Sequence, residues 1–144
     1  IMPSLVGSEM CIRDRYYMSV DPVKEWVAKA EEDWRAIQRL IRGGNTEEVA
    51  DVVVFLCQQM AEKYFKALII RAGVEPPRTH NLDVLLDIIL QIHPELTSLR
   101  DEAGILTPFA VGFRYPGEWA SGEEVEEALN SATRIRQTLK DYFQ

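Results

Sequence analysis

Phe55-Leu-Cys-Gln-Gln-Met-Ala-Glu-Lys-Tyr-Phe-Lys-Ala-Leu-Ile-Ile-Arg71, followed by Glu75-Pro-Pro-Arg-Thr-His-Asn-Leu82, is the stretch whose reading decides the fold. The β-branched cluster Val52-Val53-Val54 just before it would suit a strand, but the apolar pattern continues far beyond strand length. Val49, Val52, Val53, Leu56, Met60, Ala67 and Ile70 recur at helical spacings, so the segment reads as one central helix that ends near Gly73. Gln59, Glu62, Lys63 and Lys66 stand at i, i+3, i+4 and i+7, which places four polar side chains on one face of an otherwise apolar helix. A largely buried helix seldom carries two lysines there without a reason.

Outward from this helix the pattern stays helical. Asp21-Pro22 is a helix start, with Asp as N-cap and Pro at the first helical position. Val23, Val27, Ala30, Trp34, Ile37 and Ile41 then form an apolar seam that Gly43-Gly44 stops. Asn45 or Thr46 is expected to cap the central helix, with Glu47 or Glu48 in its first turn. Val74-Glu75-Pro76-Pro77 enforces a loop. His80 or Asn81 is expected to cap a third helix carrying Leu82, Leu85, Leu86, Ile89 and Leu90, which His93-Pro94 ends. A further helical segment from about Glu95 breaks around Pro108, and Phe113-Arg-Tyr-Pro-Gly117 is a turn. Ser121 with Glu124 forms a capping box, and Val125, Ala128, Ala132, Ile135, Leu139 and Tyr142 carry a last helix toward the C-terminus. The expected fold is all-α, an up-and-down antiparallel bundle of four long helices plus a short fifth helix. No strand pair, internal repeat or low-complexity tract is visible.

Composition fits one globular domain: 144 residues, 47% hydrophobic and 27% charged. No run of about 18 apolar residues is present, so no membrane span is expected. The formal net charge of −7 has the wrong sign for a surface devoted to nucleic acid, and any nucleotide or RNA contact must be local. Cys11 and Cys57 lie far apart with no His or Cys at ligand spacing, which argues against a disulfide scaffold and a zinc site and fits a reducing cytoplasm. No metal and no cofactor are expected, and Cys57 reads as a small core residue.

Residues 1–15 look foreign. Leu5-Val-Gly-Ser-Glu-Met-Cys-Ile-Arg-Asp-Arg15 reads back into codons that resemble the adapter of transposase-based sequencing libraries, and it lacks the apolar core and cleavage site of a signal peptide. The division expected is a non-native tail over 1–15 and a single helical domain over 19–144, with a natural start near Met18.

Three pieces in order, the Gln58 to Ala67 block, the Pro76 to Leu82 turn and the Arg114-Tyr-Pro-Gly117 turn, resemble the HEPN domain family. The resemblance spans roughly Trp26 to Tyr142. It implies a helical bundle, commonly a homodimer, that often sits beside a minimal nucleotidyltransferase in two-gene modules resembling toxin and antitoxin. The family was named for a proposed nucleotide-binding role, and several branches are metal-independent ribonucleases that use an Arg followed by four to six residues and a His. That spacing is absent here: the required positions hold Gly73, Val74 and Glu75 before His80, and Leu86, Asp87 and Ile88 before His93. The chain therefore reads as no catalyst on its own.

Two readings of the stripe stand side by side. In one, Gln59, Glu62, Lys63 and Lys66 join Arg78, His80, Arg114 and Tyr115 as a cleft for a nucleotide or other phosphate-bearing ligand, Lys supplying point charges and Arg a bidentate fork. In the other the stripe is a helix edge or an internal clamp, with a Glu62 to Lys66 pair worth roughly a few tenths of a kcal/mol if solvated and Arg114 locking the Pro116 turn onto Glu62. His80 could equally be a loop tether, or the base of a ribonuclease site displaced from the usual spacing. A non-catalytic dimerisation and docking module is the third alternative. Trp26 and Trp34 suit the core or a dimer seam, Trp119 suits an exposed partner contact, and Arg134, Arg136 and Lys140 complement the last helix dipole.

Overall fold

Ala50–Arg71 forms the central helix, α2, and it is apolar nearly all round, with Val53, Cys57, Met60, Ala61, Phe65, Ala67 and Ile69 fully enclosed. A helix of that kind must be covered on several sides. The computed structural model describes residues 21–111 and 115–144, so the expectations for the 1–15 tail, the start near Met18 and Arg114 lie outside the described residues. The other helices are α1 (Pro22–Arg42), α3 (Leu82–Leu90), α4 (Arg100–Leu106) and α5 (Gly122–Lys140). Short 3-10 segments occupy Thr46–Val49, Pro94–Leu99, Thr107–Ala110 and Asp141–Phe143.

The expected count of four long helices and one short one is not what the chain adopts. Three helices are long, at 21, 22 and 19 residues, and α3 and α4 have 9 and 7. Pro94 and Pro108 bracket the fourth segment and begin 3-10 turns at both ends, which leaves only two turns of α-helix between them.

Local signals set most boundaries. The Asp21 carboxylate accepts from the backbone N–H of Val23 and Lys24 at 3.0 and 3.3 Å, Asn81 does the same for Asp83 and Val84 at 2.9 and 3.3 Å, and Ser121 Oγ accepts from Glu124 N–H at 3.1 Å. Asn81, not His80, caps α3. Asn45 makes no side-chain cap, and the central helix starts later than its polar residues suggest, because Thr46–Val49 winds as a 3-10 turn first. At the other end Gly73 takes φ +82, and Val74 and Gly73 N–H return to the carbonyls of Ile69 and Ile70 at 3.2 and 2.9 Å, a closing turn that only a left-handed residue permits cheaply.

Cross-helix contacts give the directions. Asp33 meets Lys63, Glu31 meets Tyr64 and Trp26 meets Lys66, so α1 lies antiparallel to α2. Asp51 meets Ala120 near one end, while Tyr64 and Arg71 meet Phe143 at the other, so α5 runs parallel to α2. The helical excursion between residues 82 and 110 makes that possible by carrying the chain back before α5 begins. Arg136 does more than complement a helix dipole: it forms a two-point ion pair with Glu31 at 2.8 Å for each contact and lies 4.7 Å over the Trp34 ring. Among the described residues no helix is long and apolar enough to cross a membrane.

Candidate functional site

Glu62 is the organising residue, a carboxylate on the central helix and only 5% exposed. Its position on α2 leaves it no water, so its oxygens must find donors within the protein. Oε2 receives the Lys66 ammonium at 2.8 Å from one helical turn away, while Oε1 receives Gln58 Nε2 at 3.0 Å and His80 Nδ1 at 2.9 Å. Gln58 Nε2 also donates to the His80 carbonyl at 2.9 Å. Helix and loop are thus joined twice, through the His80 ring and its backbone. Lys66 further lies 5.8 Å from the centre of the Trp26 ring on α1.

The rest of the stripe divides. Lys63 turns toward α1, where its ammonium meets Asp33 at 2.7 Å, and Gln59 donates to Gln58 Oε1 at 2.7 Å. Arg78 is exposed on the loop, Tyr115 is exposed, and Arg114 lies outside the described residues. The fold therefore brings Glu62, Lys66 and His80 together, with Gln59 one bond removed. Lys63 belongs to a second pair on the α1 side.

Two participants escaped the sequence reading. Gln58 is fully buried and central, and its signal was the i, i+4, i+8 register with Glu62 and Lys66. Asp33 is 7% exposed and sits on the α1 seam between Ala30 and Ile37, where an acid on an apolar face was the available sign of a buried partner.

The electrostatics follow from these bonds. Burial alone would push the Glu62 carboxyl up, yet the hydrogen bonds from Lys66, Gln58 and His80 together outweigh it and hold the group below its ordinary value of 4.5. Glu62 is then an acceptor only, so His80 Nδ1 must be the donor and Nε2 is left free of that bond. The side chain of His80 is 69% exposed. Asp33 shifts the other way, since burial raises it more than the bond from Lys63 lowers it. The Arg136 guanidinium, against burial and with help from the Tyr64 hydroxyl, holds Glu31 down.

A pH dependence results. The depressed Glu62 and Glu31 carboxyls give stability that is present above their ordinary 4.5 and lost as pH falls through their lowered values, while protonating Asp33 works in the opposite sense by removing a buried charge. Denaturant midpoints followed from about pH 5 to about pH 3 should fall less steeply in Glu62→Gln than in the unaltered chain. Equal slopes would show that Glu62 is not the titrating group.

Among the described residues no group of three or more His, Cys, Asp or Glu side chains is arranged to hold a metal ion. Cys57 is fully buried, and burial pushes its thiol up to about 12, the state of a core residue rather than a nucleophile.

The backbone resembles a crystal structure of an archaeal HEPN homologue, with 25% sequence identity, a TM-score of 0.63, and 85% of this chain and 98% of that chain covered. A search of curated proteins gave no match. The family model described as HEPN domain matches residues 23–142, nearly the whole helical region including the Gln58 to His80 cluster, and the chain belongs to the HEPN domain family.

Proposed function

We propose that this HEPN module binds a phosphate-bearing ligand, a nucleotide above all, at the lip where the loop before α3 crosses α2. In this reading it acts as a homodimer beside a minimal nucleotidyltransferase chain, in a pair resembling toxin and antitoxin, and is not a catalyst by itself. The observation that carries the reading is the His80 imidazole, exposed to solvent but fixed through Nδ1 to a buried, ionised Glu62, two residues from the exposed Arg78. A phosphate would be met by the exposed guanidinium fork of Arg78, on a loop that the fixed His80 ring holds in place. Lys63 and Lys66 already have carboxylate partners, so they contribute field and position more than direct contact.

Calorimetric titration of ATP into the chain tests this. Saturable binding should weaken at least about tenfold in Arg78→Ala and in His80→Ala, a difference of about 1.4 kcal/mol, with helical content unchanged because both side chains are exposed. Absence of binding to the unaltered chain at millimolar ATP would sink the proposal.

One observation favours a second reading. A carboxylate on Nδ1 leaves Nε2 able to take a proton, the arrangement of base and orienting group used in nucleophilic catalysis. Cleavage of single-stranded RNA that disappears in His80→Ala would make the chain a ribonuclease with a displaced site and reverse the ranking.

A further inference from the structure

The end of the molecule where α2 and α5 begin carries an exposed aromatic patch in an acidic field. Trp119 is 71% exposed, Tyr115 66% and Val52 50%. Trp119 is not on a loose arm. Its neighbour Ala120 is 8% exposed, and the Ala120 N–H donates to Asp51 Oδ1 at 2.8 Å, which fastens the residue after Trp119 to the residue before Val52. Ser121 then caps α5. A large, rigidly mounted, solvated indole is the kind of side chain that anchors protein interfaces, because little freedom is left to lose on binding.

Charge identifies the occupant. Residues 43–62 contain four carboxylates and residues 115–133 contain five, and neither stretch contains a lysine or an arginine. Glu47, Glu48, Glu118 and Glu123 are all exposed around the patch, and the basic residues just before these stretches in sequence are Arg42, at the end of α1, and Arg114, which precedes Tyr115, so the acids outnumber them. Helix dipoles account for acids in the first turns, but not for Glu118 or for an exposed indole beside it. Phosphate polymers and anionic membranes are repelled by such a rim.

We infer that this surface docks a polypeptide whose contact face carries apolar anchors flanked by Lys or Arg. The apolar anchors cover Trp119 and Val52, and the basic residues meet the glutamate rim. This site is separate from the His80 lip and stands independently of ligand binding there.

The test uses a fluorescein-labelled amphipathic peptide of Leu and Lys, with three controls: Glu replacing Lys, Ser replacing Leu, and vesicles of phosphatidylglycerol. Fluorescence anisotropy should show saturable binding of the Leu and Lys peptide, weakened at least tenfold in Trp119→Ala and in Val52→Ser, and weakened also in Glu47→Gln/Glu118→Gln and at high salt. None of the controls should bind comparably. Undiminished affinity in both Trp119→Ala and Val52→Ser overturns the inference, as does equal binding of any control. A dimer of the unaltered chain that Trp119→Ala dissociates in sedimentation also overturns it, because the occupant would then be a second copy.

Discussion

Replacing Glu62 with alanine is expected to destabilise the chain by about 3–5 kcal/mol, the range for removing one partner of a buried ion pair. The effect is large because three donors lose their acceptor at once. The Lys66 side chain is 12% exposed and would keep a charge with no counter-ion, Gln58 is fully buried and would keep its bonds with the His80 carbonyl and Gln59 but lose the one to Glu62, and His80 would lose its side-chain tether. Such a loss is a large fraction of the roughly 5–15 kcal/mol that folds an ordinary domain. Urea denaturation measures it, and hydrogen exchange should show the loop before α3 opening ahead of the rest of the molecule. A loss below about 1 kcal/mol would mean that the pair behaves as a surface salt bridge and that the clamp is weak. Glu62→Leu combined with Lys66→Met should recover much of the loss, since the isolated charge is then gone.

Phe65→Ala should cost about as much, roughly 3–5 kcal/mol, by a different mechanism. Phe65 is fully buried on the helix that α1, α3 and α5 all pack against, so truncation removes apolar contact from the centre and leaves a cavity that rigid neighbouring helices cannot close. Trp119→Ala removes a larger side chain but should change stability by no more than about 0.5 kcal/mol, because the indole is 71% exposed. The comparison, read from denaturant midpoints of the two variants, separates a packing residue from a surface one. Comparable losses in both would place Trp119 in the core.

The residues that mattered were legible to different degrees. Asp21 and Ser121 were readable as caps, and Asn81 as one of two candidates beside His80, because a cap links residues two or three positions apart, and all three side chains accept the backbone bonds of a cap. The central position of α2 was readable because a helix apolar over most of its circumference has to be surrounded. The α-helix beginning only at Ala50 was not, since the choice between an α turn and a 3-10 turn at Thr46–Val49 depends on how the segment packs. Nor was the shortness of α4, which 3-10 segments at both ends confine to Arg100–Leu106.

The sequence by itself determined that the chain is helical, where most helices begin and end, and which family it belongs to, because these rest on local hydrogen bonds, helical periodicity and the order of short motifs. Only the tertiary structure decided what the polar stripe does. Lys63 and Lys66 share one helix face and look alike in sequence, yet one pairs with Asp33 from α1 and the other with Glu62 under His80. A buried charge takes the partner that the fold places within about 3 Å, and residues 30 positions apart become neighbours only when helices pack.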